Sequence, residues 1–353
     1  MQYNFDQTRR NEERQMHIFI AIILALLTVM TVITVIIICL PAPPSVPAGA
    51  EVTTDPSGDT ETQTPSGRFP SVGNFKNASG MTGCEIYSSD AADPMSGINS
   101  KNAIVVDMGT GVALYAKGAD ERVQIASMTK VMTLITALEL IETNNDMYRL
   151  VKIKTGEGYG HDLNGYQTAF DPDEEVYVID LLYSLILQSG CDSALALAET
   201  FGGSEQAFVA KMNEIATKKM GLTSTKFTNC YGADDGGENY STVREVGEIF
   251  LYALKNELAY KIITTPSDTY KYYGTYRKFM YCQSFVLDGM KKRDTGDVKI
   301  LGGKSGNDDL AGYCLVSFGE TSDGHRYLVC AAGDVKNKNS YEDSANIYKN
   351  YIG

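Results

Sequence analysis

The stretch "SMTKVMTLITALELIE" at residues 127–142 puts a serine three residues ahead of a lysine, at the head of a long apolar run. Val131, Leu134, Ile135, Leu138 and Ile141 recur at helical spacing, so the run reads as a helix with one stripe turned to a core. Ser127 stands where an N-cap or first-turn residue belongs. Residues i and i+3 share a helix face, with Cβ atoms about 5–6 Å apart. The Ser127 hydroxyl and the Lys130 amine are therefore within hydrogen-bond reach. The same letters also suit a capping serine beside a surface lysine, and the rest of the chain must decide.

Working outward, "AIVVD" (103–107) and "VALYA" (112–116) read as strands around the turn "MGTG". "VIDLLYSLILQ" (178–188) is apolar on nearly every side, which suits a helix at the centre of a domain. It stops at "SGCD". Gly190 is expected to end that helix and Asp192 to cap the next, leaving residues 189–191 in a tight turn. "SEQAFVAKMNEIATKKMG" (204–221) is amphipathic and closes on Gly221. "STVREVGEIFLYALKN" (241–256) opens with Thr242 and Glu245 at capping-box spacing. Further strands are expected at 297–304, 311–318 and 326–332, the turn "ETSDGH" joining the last two. Strands at both ends and helices between them predict an α/β (α+β) domain, with a sheet drawn from both chain ends and a helical subdomain.

The 353 residues suit one large domain or two small ones, and a net charge of −13 argues against a nucleic-acid partner. The chain has three histidines, His17, His161 and His325, and no cluster of them with carboxylates. No metal or cofactor is expected, and a Ser-His-Asp triad has no convincing histidine. A serine enzyme built from this chain would use lysine as its base. Lysine normally titrates near 10.4, so the base needs burial or a second cation nearby to hold it neutral. The N–H groups at a helix start would stabilise a developing oxyanion.

Two later stretches offer partners. "QSGCDSA" places Ser189 in the turn between helices, where a second hydroxyl can relay a proton. "LGGKSGNDDLAGYCLVSF" places Lys304, Ser305 and Gly306 at the end of a strand. There Lys304 is a candidate second cation and Ser305 a candidate carboxylate ligand. Gly306 would let a substrate backbone lie close to the strand edge. Taken singly, each has a plainer reading as a cap serine, an edge lysine or a turn glycine.

The N-terminal region reads differently. Residues 18–40 carry no charge, and a run of that length can cross a bilayer core of about 30 Å. Arg9, Arg10 and Arg14 precede it, and no Lys or Arg stands between Pro41 and Gly67. The expectation is a cytoplasmic tail (1–17), an uncleaved transmembrane helix (18–40), and a Pro/Ser/Thr/Gly-rich linker (41–83). The working domain (84–353) would then lie on the outer face of the membrane. Six cysteines follow the span without any CxxC pair, so they read as buried thiols or as disulfides of undetermined pairing.

The order Ser-x-x-Lys, Ser-x-Cys, Lys-Ser-Gly resembles the penicillin-recognising serine enzymes. Within them the chain is most similar to the D-alanyl-D-alanine carboxypeptidases, the low-molecular-mass penicillin-binding proteins. The likeness extends over about 99–352 and runs through "SKNAIVVDMGTGVALYAKGADERVQIASMTKVMT", "FVAKMNEIATKKMGLTSTKFTN" and "GGKSGNDDLAGYCLVS". It implies a β-lactamase/transpeptidase-like fold whose sheet is antiparallel. It implies that Ser127 forms an acyl-enzyme with the stem peptide's penultimate D-Ala, that Lys130 is the base, and that Ser189 protonates the leaving D-Ala. Lys304 and Ser305 would hold the terminal carboxylate, and the N–H groups of Ser127 and Asn307 would form the oxyanion hole. β-Lactams would acylate Ser127.

The chain departs from that pattern at Cys191, where the family has an asparagine that positions substrate, and at Cys230, where it has proline. The N-terminal span is expected to replace the stalk domain and C-terminal anchor of many relatives. Alternative readings are a D,D-endopeptidase that cuts cross-links, and a penicillin- or wall-binding receptor with little turnover. A β-lactamase would need a glutamate where Gly160 precedes Leu163-Asn164.

Overall fold

Ten strands order the described part of the chain: β1 (Tyr87–Asp93), β2 (Asn102–Asp107), β3 (Val112–Lys117), β4 (Val123–Gln124), β5 (Leu150–Lys152), β6 (Glu175–Tyr177), β7 (Tyr240–Ser241), β8 (Lys299–Asp308), β9 (Gly312–Glu320) and β10 (Arg326–Asp334). The computed structural model describes residues 84–353 apart from 94, 96, 155–167, 234–235, 274–279 and 335–339. The expected tail, span and linker (1–83), His161 and Leu163-Asn164 lie outside the described residues. Among the described residues no helix is long and apolar enough to cross a membrane.

Six of the strands make one sheet in the order β1-β3-β2-β10-β9-β8. β2 pairs antiparallel with β10 from Tyr327 opposite Asp107 to Ala332 opposite Asn102. The two chain ends thus meet in the middle of the sheet, as expected from the sequence. All pairs are antiparallel except β1 with β3.

The sheet is covered on both faces. Ile104, Val106, Val316, Phe318 and Leu328 enter one apolar cluster, which contains the helical subdomain. Ala103, Val105, Leu315, Val329 and Ala331 enter the other. Alternate side chains of a strand point to opposite faces, so an unbroken apolar run such as "AIVV" suits a strand buried on both sides.

The helical region comprises α1 (Lys130–Leu140), α2 (Val178–Leu187), α3 (Cys191–Gly202), α4 (Glu205–Glu214), α5 (Val243–Leu254) and α6 (Glu257–Ile263). α7 (Phe285–Met290) and α8 (Ser340–Tyr351) cover the opposite face, where Val286, Met290, Ala345 and Ile347 join the second cluster. Every residue of α2 is buried, as its all-round apolar character predicts.

Several local expectations are corrected. Ser127 lies in a 3-10 turn, Ala126–Thr129, and makes no cap bond. Its hydroxyl is engaged by Lys130 instead. Asp192 is not the cap of α3, whose N-cap is Gly190. The Asp192 carboxylate instead accepts from the amides of Ala169, Phe170 and Ser193 at 2.8–2.9 Å. The left-handed residue of that turn is Ser189, with φ +62°. The capping box of α5 is half formed. Thr242 accepts from the Glu245 amide at 3.0 Å, while the Glu245 carboxylate turns to the amides of Thr223 and Ser224. Finally, Lys304, Ser305 and Gly306 sit inside β8 and not at its end, because pairing with β9 continues to Asp308 opposite Gly312.

Candidate active site

The nucleophile candidate rests on a turn that glycine makes possible. Gly306 of β8 passes so close that a Cβ there would lie 2.8 Å from the Ser127 amide nitrogen. Ala126, just before the serine, takes a left-handed φ of +42°, a conformation most non-glycine residues avoid. The turn then runs into α1. Ser127 is half-buried, and Lys130, at the start of α1, is fully buried.

The Lys130 amine lies 2.7 Å from Ser127 Oγ, so the two residues meet as their spacing predicts. It also donates to the carbonyl oxygen of Tyr231 at 2.8 Å. Tyr231 was not legible as a site residue, because a backbone carbonyl leaves no mark in the sequence. Its loop is firmly held. Asn229 Oδ1 accepts from the amides of Gly232 and Ala233 at 2.7 and 3.0 Å, and Thr133 donates to the Cys230 carbonyl at 2.5 Å. Cys230 is fully buried, and its amide donates to Glu205 at 3.1 Å. A proline, which has no N–H, could not make that bond. This is what the departure at Cys230 does.

Ser189 and Lys304 form a second pair, 2.9 Å apart, across 115 residues of sequence. Lys304 Nζ also donates to the Ser305 carbonyl at 2.6 Å. Burial, and then the charge of nearby Lys130, push the Lys304 amine well below its ordinary value. Lys304 is thus a reluctant second cation, because its own burial and the charge of Lys130 both oppose its protonation. Asp192, a buried carboxylate, feels the Lys130 charge. Burial raises its pKa, although three backbone N–H groups and the Lys130 charge act against that.

Cys191 begins α3 and is buried. Its thiol reaches the Ser189 carbonyl at 3.9 Å, a weak contact at most. Ser305 Oγ lies 3.3 Å from the Tyr341 hydroxyl. Asn307 faces Tyr313 across the β8–β9 ladder. Ser127, Lys130, Ser189, Cys191, Lys304, Ser305 and Gly306 therefore converge where the 3-10 turn, the α2–α3 turn and β8 meet. The six cysteines of the described residues, Cys84, Cys191, Cys230, Cys282, Cys314 and Cys330, are all free, five of them buried. The described residues hold no metal-binding cluster of three or more His, Cys, Asp or Glu side chains.

The arrangement can take a proton from Ser127 on one side and deliver one through Ser189 on the other. Residues 88–332 match the D-alanyl-D-alanine carboxypeptidase family. The D-alanyl-D-alanine carboxypeptidase DacF of Bacillus subtilis is 33% identical over 210 residues, 57% of this chain and 52% of that protein. The match thus spans about half the length of that relative. The D-alanyl-D-alanine carboxypeptidase of Streptomyces sp. strain K15 is 34% identical over 224 residues, 59% of this chain and 72% of that protein. A solved structure of the Streptomyces K15 DD-transpeptidase superposes with a TM-score of 0.62 at 28% identity, covering 72% of this chain and 97% of that one. Solved variants of that enzyme replace a serine by alanine and, two positions further on, a cysteine by asparagine.

Proposed function

The chain belongs to the D-alanyl-D-alanine carboxypeptidase family, and from that premise we propose that it removes the terminal D-Ala of peptidoglycan stem peptides through an acyl-enzyme on Ser127. The observation that carries the reading is the double serine–lysine contact: Ser127 with Lys130 at 2.7 Å and Ser189 with Lys304 at 2.9 Å.

Ser127 Oγ attacks the penultimate D-Ala carbonyl while its proton passes to the Lys130 amine, which the Tyr231 carbonyl holds in line. The oxyanion sits between the N–H groups of Ser127 and Asn307. As the peptide C–N bond breaks, the proton moves from Lys130 through the Ser189 hydroxyl to the departing amine. Lys304 donates to the Ser189 hydroxyl at 2.9 Å and so orients it for that transfer. Water then attacks the ester, gives its proton back through Lys130, and frees Ser127. Ser305 meets the substrate carboxylate, with Lys304 beside it. Penicillin acylates Ser127 by the same first step. Residues 18–40 anchor the chain in the bacterial plasma membrane, with the arginine-flanked end inside and the domain facing the wall.

Incubating the full-length chain with a diacetyl-Lys-D-Ala-D-Ala peptide and assaying free D-Ala tests this directly. The expected result is D-Ala release together with stoichiometric covalent labelling by penicillin, both abolished in Ser127→Ala. A folded protein that does neither would overturn the reading.

A second reading concerns the acyl acceptor. The Ser-x-Cys spacing of Ser189 and Cys191 matches that of the serine and cysteine replaced in the Streptomyces K15 DD-transpeptidase variants. An amine would then compete with water for the acyl-enzyme. Adding a glycine-ended amine to the same assay separates the two, because transfer yields a longer peptide in place of the shortened one.

A further inference from the structure

Lys304 is a buried amine whose charge is opposed by Lys130, so recognition of the substrate's carboxylate needs help from neutral donors. Ser305 is the nearest such donor on β8, and its hydroxyl can point in several directions. A serine hydroxyl has one proton and two lone pairs, and its neighbours decide where the proton goes.

We propose that Tyr341 is a positioning residue for this reaction: its phenol donates to Ser305 Oγ and turns the Ser305 proton toward the substrate's C-terminal carboxylate. The inference rests on the carboxypeptidase reading above. The ring has little freedom. It lies so close to α7 that a Cβ on Gly289 would come 2.7 Å from its Cε1 atom. Arg293, just after α7, places its guanidinium carbon 5.2 Å from the ring centroid, on a face that attracts cations. Arg293 is itself held by the Gly289 carbonyl and by Glu342 at 3.5 Å. α7 and α8 thus clamp the phenol with its oxygen 3.3 Å from Ser305 Oγ.

That distance is long for two hydroxyls, which settle nearer 2.8 Å. Site hydrogen bonds commonly tighten when substrate binds. A carboxylate that draws the Ser305 proton makes Ser305 Oγ the better acceptor and closes the gap. The phenol also does not compete as an acid: burial raises its pKa above the ordinary tyrosine value, so it remains a donor at neutral pH.

Tyr341→Phe keeps the ring, its packing on Gly289 and the Arg293 stack, and deletes only the hydroxyl. The measurement is kcat and KM on two peptides, one ending in free D-Ala carboxylate and one in its amide. We expect KM for the free acid to rise about tenfold with kcat within about twofold, because a misdirected Ser305 hydroxyl loses its hydrogen bond to the charged carboxylate. The acid-over-amide ratio of kcat/KM should fall by the same factor. A merely structural role would lower both peptides alike and leave the ratio unchanged, which would overturn the proposal. Ser305→Ala provides the second arm. Tyr341→Phe added to Ser305→Ala should cost nothing more on the acid peptide, and an additive loss would equally overturn it. An unmodified protein inactive on the free acid would instead overturn the carboxypeptidase reading, and the Tyr341 role with it.

Discussion

Cys191 sits at the first position of α3 with about 1% of its surface exposed. An asparagine there would bring an amide with two donors and an acceptor into a slot that now holds a weakly polar thiol. Because Lys130 and Lys304 already reach their serines in its absence, we expect Cys191→Asn to leave kcat/KM for D-Ala release within about threefold. A gain of more than tenfold would point to a receptor crippled by its cysteine. Residue identity was legible wherever the chemistry is short-range. Ser127 and Lys130 are three residues apart and had to meet if a helix formed. The Tyr231 carbonyl that fixes Lys130 comes from 101 residues away. Nothing in the letters at 229–232 announces it beyond an asparagine and a glycine that suit a tight loop.

At the scale of elements, the loop at 229–233 and the nucleophile turn are fitted to one another. Gly232 has φ +81°, and a Cβ on it would lie 2.0 Å from the Ala126 carbonyl oxygen. Gly232→Ala therefore pays twice, through a left-handed backbone and through a collision that only movement of the turn can relieve. We expect a stability loss of about 1–3 kcal/mol by chemical denaturation. Penicillin acylation should fall by at least about tenfold in the protein that remains folded, because Ser127 must shift with Ala126. An alanine variant of unchanged stability and acylation rate would contradict this fit. The helices were easy to read, since apolar periodicity is set by local geometry, and α2 and α5 appear close to their expected bounds. The turns were not. Gly190 is the glycine expected to end α2, yet the left-handed residue of that turn is Ser189. Gly190 answers a lack of space, because a Cβ on it would meet Ser193 Oγ at 2.7 Å. The sequence marks that a glycine is needed there but not which of the two reasons applies.

At the scale of the whole molecule, α5 fastens the entry of the described domain to its interior. Glu248 accepts from the Ile86 amide at 3.1 Å, and Arg244 bonds Asp120 at 2.6 and 3.0 Å. Burial raises the Glu248 carboxyl from 4.5 to about 6. A folded value above the unfolded one means that its contribution is fully present below about pH 4.5 and is lost as pH rises through about 6. Glu248→Gln keeps an acceptor for Ile86 and removes the charge. We expect it to raise the melting temperature at pH 7.5, by at most about 1 kcal/mol of stability after solvent screening. The gap should close at pH 4.5, and an equal gap at both pH values would refute it. The sheet order was legible only in outline, because pairing of β2 with β10 follows from both being apolar strands at opposite chain ends. That pairing also sets a schedule for synthesis. The central ladder pairs β2 with β10, so it closes only after the last strand has been made. A growing chain carries Ser127 long before its sheet can close. A fragment that stops short of β10 leaves β2 and β9 without the strand that joins them.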